Sequence, residues 1–380
     1  MSKVGIIGLG HMGKRYAKMI TSNQVDSLEL VCVCTRSEMS ESWLDENCGG
    51  IVSSGKVKIF KSEDEMYEQF GDEFDSIIIT TPHRLHPDTA IKGIRKGKNV
   101  LCEKPAGIDV ISARQMYSES KFAGVVYELI FHQRSYERFR KLKEFIDSGK
   151  IGKIKCVRQV DTGFYRTRYY HSSGQWRSSW HGEGGGALIN QGQHLLDMWQ
   201  WLFGMPKEMM ATVSLGKYND FIVDDEAMLQ FSYENGMTGS FFISTGEVHK
   251  ERYMEISGTK GHIRVEDGKI GLYTYSRDQE EYSKMAKCQS TQEISEEYTE
   301  FLFDEEGGDA PYVEILENFG RACNGEDVET LTNGSDGIKT LELTCGAYLS
   351  AYKGKKIELP VNGEEYRDFL DEMKHIESEM

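Results

Sequence analysis

Gly8-Leu9-Gly10-His11-Met12-Gly13 follows the apolar run 4–7 directly and opens a helical stretch at 14–20. Glycines at 8, 10 and 13 permit a tight strand-to-helix turn, close approach of the main chain to a pyrophosphate, and close packing of helix on strand. The helix N-terminus, with its unpaired N–H groups, then faces the negative charge. A strand before and a helix after supply the context that a bare glycine motif lacks. Gly8, Gly10, His11, Met12 and Gly13 are therefore expected to border a dinucleotide. Glu103-Lys104-Pro105 follows the strand-like run 99–102 and would place a carboxylate and an ammonium beside that dinucleotide, where chemistry takes place. Thr35-Arg36-Ser37 follows the run 28–34. A carboxylate at that point would hydrogen-bond the ribose 2′-hydroxyl of NAD, whereas a guanidinium suits the 2′-phosphate of NADP. The expected cofactor is NAD or NADP, and Arg36 between two hydroxyls leans toward NADP.

Two other groups of polar residues point away from metal and redox chemistry. His83 and His86 have no third ligand at suitable spacing, so no metal is expected. The eight cysteines, at 32, 34, 48, 102, 156, 288, 323 and 345, have neither metal-binding nor disulfide-scaffold spacing. Cys32 and Cys34 alternate along one strand and read as small buried hydrophobes.

The elements that must position these residues are legible in outline. Strand-like runs at 4–7, 28–34, 57–60, 76–80, 99–102 and 125–129 alternate with helical stretches, the pattern of a parallel sheet with crossover helices. Ser62-Glu63-Asp64-Glu65 has the spacing of a capping box, predicting a helix to about residue 70. Right-handed crossovers place the ligand-facing loops at the C-terminal ends of the strands, where Thr81-Pro82-His83 and Glu103-Lys104-Pro105 fall. From 129 onward the pattern becomes α+β. A helix at 136–148 leads to a strand at 154–160 and an aromatic, arginine-rich loop at 164–181. A glycine run then precedes an amphipathic stretch at 187–203, and 209–275 alternates like antiparallel strands. Residues 276–310 read as a polar insertion or long connection, followed by two helices near 312–324 and 334–352. The expected class is α/β, a doubly wound parallel sheet in a domain at 1–128, with an α+β domain at 129–380 built on a large, open, mainly antiparallel sheet.

A chain of 380 residues with a formal charge of −16 has length for two or three domains and offers no clustered cationic surface for nucleic acid or anionic membrane. No apolar stretch reaches the roughly 20 residues of a membrane span, and the chain opens on a strand rather than a signal peptide, so a cytoplasmic location is expected.

These motifs resemble, in order and over nearly the whole chain, those of the Gfo/Idh/MocA oxidoreductases. The resemblance rests on the glycine turn, Thr81-Pro82-His83-Arg84-Leu85-His86, Glu103-Lys104-Pro105, His132-Gln133-Arg134, Gly184-Gly185-Gly186 through Asn190 and His194 to Asp197, and Gly258-Thr259-Lys260-Gly261. It implies a Rossmann domain, an open sheet that often mediates homodimers or homotetramers, and Lys104 beside the nicotinamide, hydrogen-bonded to the reacting oxygen. It further implies His194 as general base, an imidazole suiting the task because its unperturbed pKa is about 6.5. Many members carry aspartate where this chain has Asn190, so Asn190 is expected to orient His194 or bind a substrate hydroxyl. Thr81, Pro82, His83, His86 and Glu103 become expected cofactor neighbours.

The loop with Tyr165, Arg166, Arg168, Tyr169, Tyr170, His171, Trp176, Arg177 and Trp180 could stack sugar faces and hydrogen-bond hydroxyls, or form an oligomer contact. Arg134, Tyr165, Arg168, Trp176, Asn190 and His194, with Lys104, are the expected substrate residues. The expected activity is hydride transfer between nicotinamide and a ring secondary alcohol or ketone of a sugar, an inositol or a glycoside, including the glycoside 3-hydroxyl. Two alternatives stand beside it: an NAD-dependent glycosidase or lyase with transient sugar oxidation, and a non-enzymatic cofactor-binding regulator.

Overall fold

The computed structural model describes every residue except 175, 292, 305, 306 and 329. Its first compact unit comprises Met1–Ser135, Gly182–Gly184 and Gly307–Leu341, and its second Tyr136–His181, Gly185–Glu306 and Glu342–Met380. The first unit thus takes in short segments from beyond the 128/129 boundary read from the sequence.

The first unit begins β1 (Ser2–Ile7), α1 (His11–Thr21), β2 (Leu28–Cys34), α2 (Ser40–Asn47), β3 (Lys58–Phe60), α3 (Glu63–Phe70), β4 (Ser76–Ile79), α4 (His86–Arg95), β5 (Asn99–Cys102), α5 (Val110–Ala123) and β6 (Tyr127–Leu129). The strands form one parallel sheet in the order β3-β2-β1-β4-β5-β6. Strands of such a sheet are covered on both faces, which is why they read as unbroken apolar runs. Val4, Ile6, Val33, Ile78 and Leu101 are all fully buried in its core. The capping box expected at Ser62 is half formed. Ser62 Oγ accepts from the Glu65 amide at 3.2 Å, while the Glu65 carboxylate accepts from Lys61 N, one residue earlier than the box would have it, also at 3.2 Å.

The second unit runs through α6 (Glu137–Asp147), β7 (Ile154–Asp161), α7 (Arg168–His171), α8 (Gly192–Phe203), β8 (Glu208–Leu215), β9 (Asp224–Ser232), β10 (Thr238–Ser244), β11 (Arg252–Gly258), β12 (Gly261–Glu266), β13 (Lys269–Tyr275), α9 (Gln279–Met285) and β14 (Glu296–Leu302). In chain order there follow α10 (Ala310–Cys323), which belongs to the first unit, α11 (Gly334–Lys353), which begins in the first unit and ends in the second, and, in the second unit, β15 (Ile357–Glu358) and α12 (Gly363–Glu379). The large sheet has the order β14-β13-β12-β11-β7-β10-β9-β8-β15 and is antiparallel except where β7 pairs with β10. Its buried face carries Val157, Phe241, Ile256 and Ile263, each fully buried.

Three expectations are corrected here. The stretch 276–310 is not merely a connection, because it contains α9 and the edge strand β14. α12 adds a C-terminal helix beyond the two expected. The amphipathic stretch 187–203 is helical only from Gly192, because 186–188 is held by Asp224. The Asp224 carboxylate accepts from the amides of Gly186 and Leu188, both at 2.7 Å, and its carbonyl accepts from Ala187 N at 2.8 Å. Asn190 therefore lies in a turn before α8 rather than one helical turn from His194.

Candidate functional site

In the first unit the glycines divide the work in three ways. Gly8 has φ 94°, and a side chain there would meet the Thr80 carbonyl at 3.0 Å. Gly13 is packed so closely that a Cβ would lie 2.2 Å from Gly8 O and 2.7 Å from Thr80 Oγ1, which itself donates to Gly8 O at 2.6 Å. A Cβ on Gly10 would meet no protein atom within 4 Å, so protein packing does not demand glycine there, whereas close approach of a ligand does. α1 has no side-chain cap and no acidic residue in its first turn, so its N-terminal amides and positive dipole end have no carboxylate competing for them. Thr81 Oγ1, whose residue adjoins Gly8, is buried with no hydrogen-bond partner among the described residues. These features fit a dinucleotide pyrophosphate. His11 is exposed and Met12 half-buried at the same turn.

At the end of β2, Thr35 is buried, and its hydroxyl lies 3.3 Å from the Ser37 amide, which donates to it, and 3.4 Å from Ser40 Oγ. The Thr35 hydroxyl thus shapes the turn, and Arg36 beside it is exposed. Sequence reasoning missed Lys61, whose ammonium reaches Ser37 O at 3.5 Å. The signal was available: Phe60 pairs with Cys34, so the residues after β3 lie beside those after β2.

Glu103 and Lys104 follow β5. The Glu103 carboxylate is buried, accepts a short hydrogen bond from Tyr16 OH on α1, and accepts from Lys104 N at 3.1 Å. Burial holds its pKa above the usual carboxylate range, against the Tyr16 bond and the Lys104 charge. The carboxylate thereby ties α1 to the main chain at Lys104, which is half-buried and joined to Pro105 by a cis peptide. Next to this group His132 stacks on Tyr312 at 4.2 Å, and burial, aided by the Lys104 and Arg15 charges, pushes its pKa down to about 3. Arg15 lies over the same Tyr312 ring, 4.1 Å from its centroid.

The Thr81-Pro82-His83 turn places Thr81 and Pro82 half-buried, and His83 buried with Nδ1 3.3 Å from Glu183 O. His86 is fully buried, with Nδ1 2.8 Å from Pro105 O and Nε2 2.7 Å from Thr81 O. It joins the two ligand-facing turns and is not a surface for a cofactor, which corrects its expected role. Arg134 is also corrected: it is buried, paired with Asp336 at 3.0 Å and donating to Leu331 O. Its partners lie about 200 residues away, and no local pattern announces them. Among the described residues no group of three or more His, Cys, Asp or Glu could hold a metal, and no helix is long and apolar enough to cross a membrane.

In the second unit His194 is half-buried in the first turn of α8. Asn190 Nδ2 donates to Tyr170 OH at 3.1 Å, and the same hydroxyl receives Gln191 Nε2 at 3.2 Å and Arg177 Nη1 at 2.8 Å. Tyr170 thus fastens the aromatic loop to the turn before α8. Trp176 is half-buried with Arg177 over its ring at 4.4 Å; Tyr165 is 44% exposed, and Arg168 pairs at the surface with Asp220. Trp180 is core, fully buried and donating Nε1 to Ile222 O at 2.8 Å. Asp197 is fully buried and accepts from Gln200 at 3.0 Å. The other hub missed by sequence is Asp224 with Tyr348, whose hydroxyl donates to it at 2.6 Å.

Residues 2–131 match the model of an oxidoreductase family with an NAD-binding Rossmann fold, and residues 139–264 match the GFO/IDH/MocA C-terminal domain. The 1,5-anhydro-D-fructose reductase of Ensifer adhaerens is 26% identical over 271 residues, 69% of this chain and 75% of that protein. The levoglucosan dehydrogenase of Pseudarthrobacter phenanthrenivorans is 25% identical over 289 residues, 68% and 72% of the respective chains. In fold, the WlbA dehydrogenase of Bordetella pertussis, solved with NADH and UDP-GlcNAcA, superposes with a TM-score of 0.76 at 24% identity, covering 95% of this chain and 99% of that one.

Proposed function

Because the chain belongs to the Gfo/Idh/MocA family of NAD-binding oxidoreductases, we propose that it transfers hydride between nicotinamide and a ring secondary alcohol or ketone of a sugar, an inositol or a glycoside, the glycoside 3-hydroxyl included. The observation that carries this reading is the tie between glycine-turn helix and catalytic loop: Tyr16 on α1 holds Glu103, and Glu103 holds the backbone of Lys104. The nicotinamide, when bound, supplies the hydride acceptor or donor. Gly8, Gly10 and Gly13 would hold its pyrophosphate, with His11, Met12, Thr81, Pro82 and His83 around it. The Lys104 ammonium hydrogen-bonds the reacting oxygen and favours alkoxide character as the carbon loses hydride. His194 takes the hydroxyl proton. Asn190 does not carry that proton; its amide holds Tyr170, and with it the loop that faces the substrate. Arg36, with Lys61 beside it, favours NADP over NAD. The relatives named for sugar substrates support a carbohydrate or polyol substrate, and the open sheet supports a homo-oligomer.

The test is absorbance near 340 nm with NAD and then NADP across inositols, free sugars and glycosides, with denatured protein assayed for released nucleotide. Reduction of added cofactor by one substrate class is the expected result. Turnover without net reduction, with nucleotide released on denaturation, would replace it with the glycosidase or lyase cycle. Lys104→Ala and His194→Ala should each lower turnover about 10²-fold or more while cofactor still binds. Unchanged turnover in both would overturn the assignment.

A further inference from the structure

We propose that Arg166 forms an anion subsite in the second unit, and that the substrate carries a compact oxyanion, a carboxylate or a phosphate, which this guanidinium receives. This rests on the dehydrogenase reading above and narrows its substrate class to acidic sugars or sugar phosphates.

The starting point is a cation that lacks a carboxylate in a strongly acidic chain. With 61 acidic and 45 basic side chains, an arginine has acceptors in excess. Arg168 takes Asp220, and Arg252 takes Asp161. Arg166 has no ion pair among the described residues. Its Nη1 donates to the carbonyl of its neighbour Tyr165 at 3.2 Å, and its Nε is buried with no hydrogen-bond partner. Nε and Nη2 form the edge of a guanidinium whose parallel N–H bonds match the two oxygens of a carboxylate or phosphate. That edge is left over once Nη1 is engaged. A buried donor without an acceptor costs the protein free energy, which a ligand oxyanion would return on binding.

Among the described residues, the surroundings hold the guanidinium in place without an ion pair. Its carbon lies 4.6 Å from the Tyr170 ring centroid, and the Arg177 carbon lies 4.6 Å from the same centroid. The two guanidinium carbons are therefore no more than about 9 Å apart, with the Tyr170 ring as their common contact. The backbone of Arg166 is pinned as well, its amide donating to Thr245 O at 2.9 Å. The Asp225 carboxylate is directed at amides instead of at Arg166: its oxygens accept from Lys217, Tyr218 and Asn219 at 3.0, 2.7 and 3.2 Å. Tyr170 also receives Asn190, two residues before α8, so the cation pair and the turn that leads to His194 share one side chain. Arg166 is half-buried, shielded yet partly open to solvent, as a ligand-binding arginine must be.

The experiment is calorimetric titration of the full-length protein, saturated with its nicotinamide cofactor, with D-glucuronate, D-glucose 6-phosphate and D-glucose. Wild type should bind at least one of the two anions about 10- to 100-fold more tightly than glucose, the range for a hydrogen bond to a charged group. The glucuronate and phosphate arms identify which oxyanion the subsite takes. Arg166→Met, which keeps the length and removes the charge, should abolish that preference, and Arg166→Lys should restore part of it. A circular-dichroism melt of both variants verifies that they fold. Equal binding of glucose and both anions by wild type, or an anion preference unchanged in Arg166→Met, overturns the subsite. Because binding is read without turnover, the two readings separate. An Arg166-dependent preference with no nicotinamide reduction keeps the subsite and defeats the dehydrogenase. Reduction by a neutral sugar with no anion preference does the reverse.

Discussion

Glu128 offers the sharpest test of the electrostatics of the first unit. It lies on β6, the edge strand of the parallel sheet, is only 2% exposed, and its Oε1 is buried with no hydrogen-bond partner among the described residues. Burial alone pushes its pKa from 4.5 up to about 8. For an acid whose folded value exceeds its unfolded one, the folded state binds the extra proton, so stability is intact below 4.5 and falls as pH rises through 8. At about 1.4 kcal/mol per pH unit, the interval from 4.5 to 8 amounts to about 5 kcal/mol, of which about 3 is already lost at pH 7. Glu128→Gln keeps the shape and removes the ionisation. Against wild type, the variant should melt within about 3 °C at pH 5 and about 10–20 °C higher at pH 8.5, given about 2–4 °C per kcal/mol for a unit of this size. The assay is differential scanning calorimetry of both proteins from pH 5 to pH 9. Melting curves that stay parallel across that range would show that Glu128 ionises as it does in water, and the reasoning from its burial would fail.

The remaining expectations concern the glycine turn, the end of β2 and the Asp224 hub. Gly10→Ala should melt like wild type yet bind NADH at least 10-fold more weakly by fluorescence titration, whereas Gly13→Ala should lose stability outright, since its Cβ would lie 2.2 Å from Gly8 O. Arg36→Ala should raise the KM for NADP about 10-fold and leave that for NAD within about 2-fold, with Lys61→Ala acting in the same direction more weakly; equal effects on both cofactors would remove Arg36 from the 2′-phosphate. Tyr348→Phe should cost about 1–3 kcal/mol in chemical denaturation, because it leaves a buried Asp224 oxygen one donor short.

Some of this was readable from sequence for a physical reason. β2 and β5 have the bounds read for them because strands covered on both faces carry continuous apolar side chains. The glycine turn and the Lys104 loop were legible because their chemistry is local. What escaped was non-local or unpatterned. Residues 187–189 are apolar and continue the helical pattern, yet an aspartate at 224 holds 186–188 in a turn, and nothing within a helical window signals it. Arg134 reads as a free cation until Asp336 is placed beside it. β14 is exposed along nearly its whole length, so it lacks the alternation that marks a half-buried strand. His86 has the types of a ligand, but both its ring nitrogens are taken up by carbonyls of the two turns it joins.

The one parallel pairing in the large sheet bears on the order in which this chain assembles during synthesis. β7 is the first strand of its sheet to be made, and its partners are β10 and β11, with Ile243 facing Asp161 on one side and Arg252 facing Asp161 on the other. The β8–β9, β9–β10 and β11–β12 pairs join strands adjacent in the chain and can close as soon as each is complete. β7 must wait for about 90 further residues, which at ribosomal rates is about 5–20 s. During that interval its inward side chain Val157 has no sheet to enter. The centre of the finished sheet thus closes around its earliest strand only after the β8–β9 pair has formed, and a nascent chain halted between β9 and β10 would present β7 as an open edge to any chain nearby.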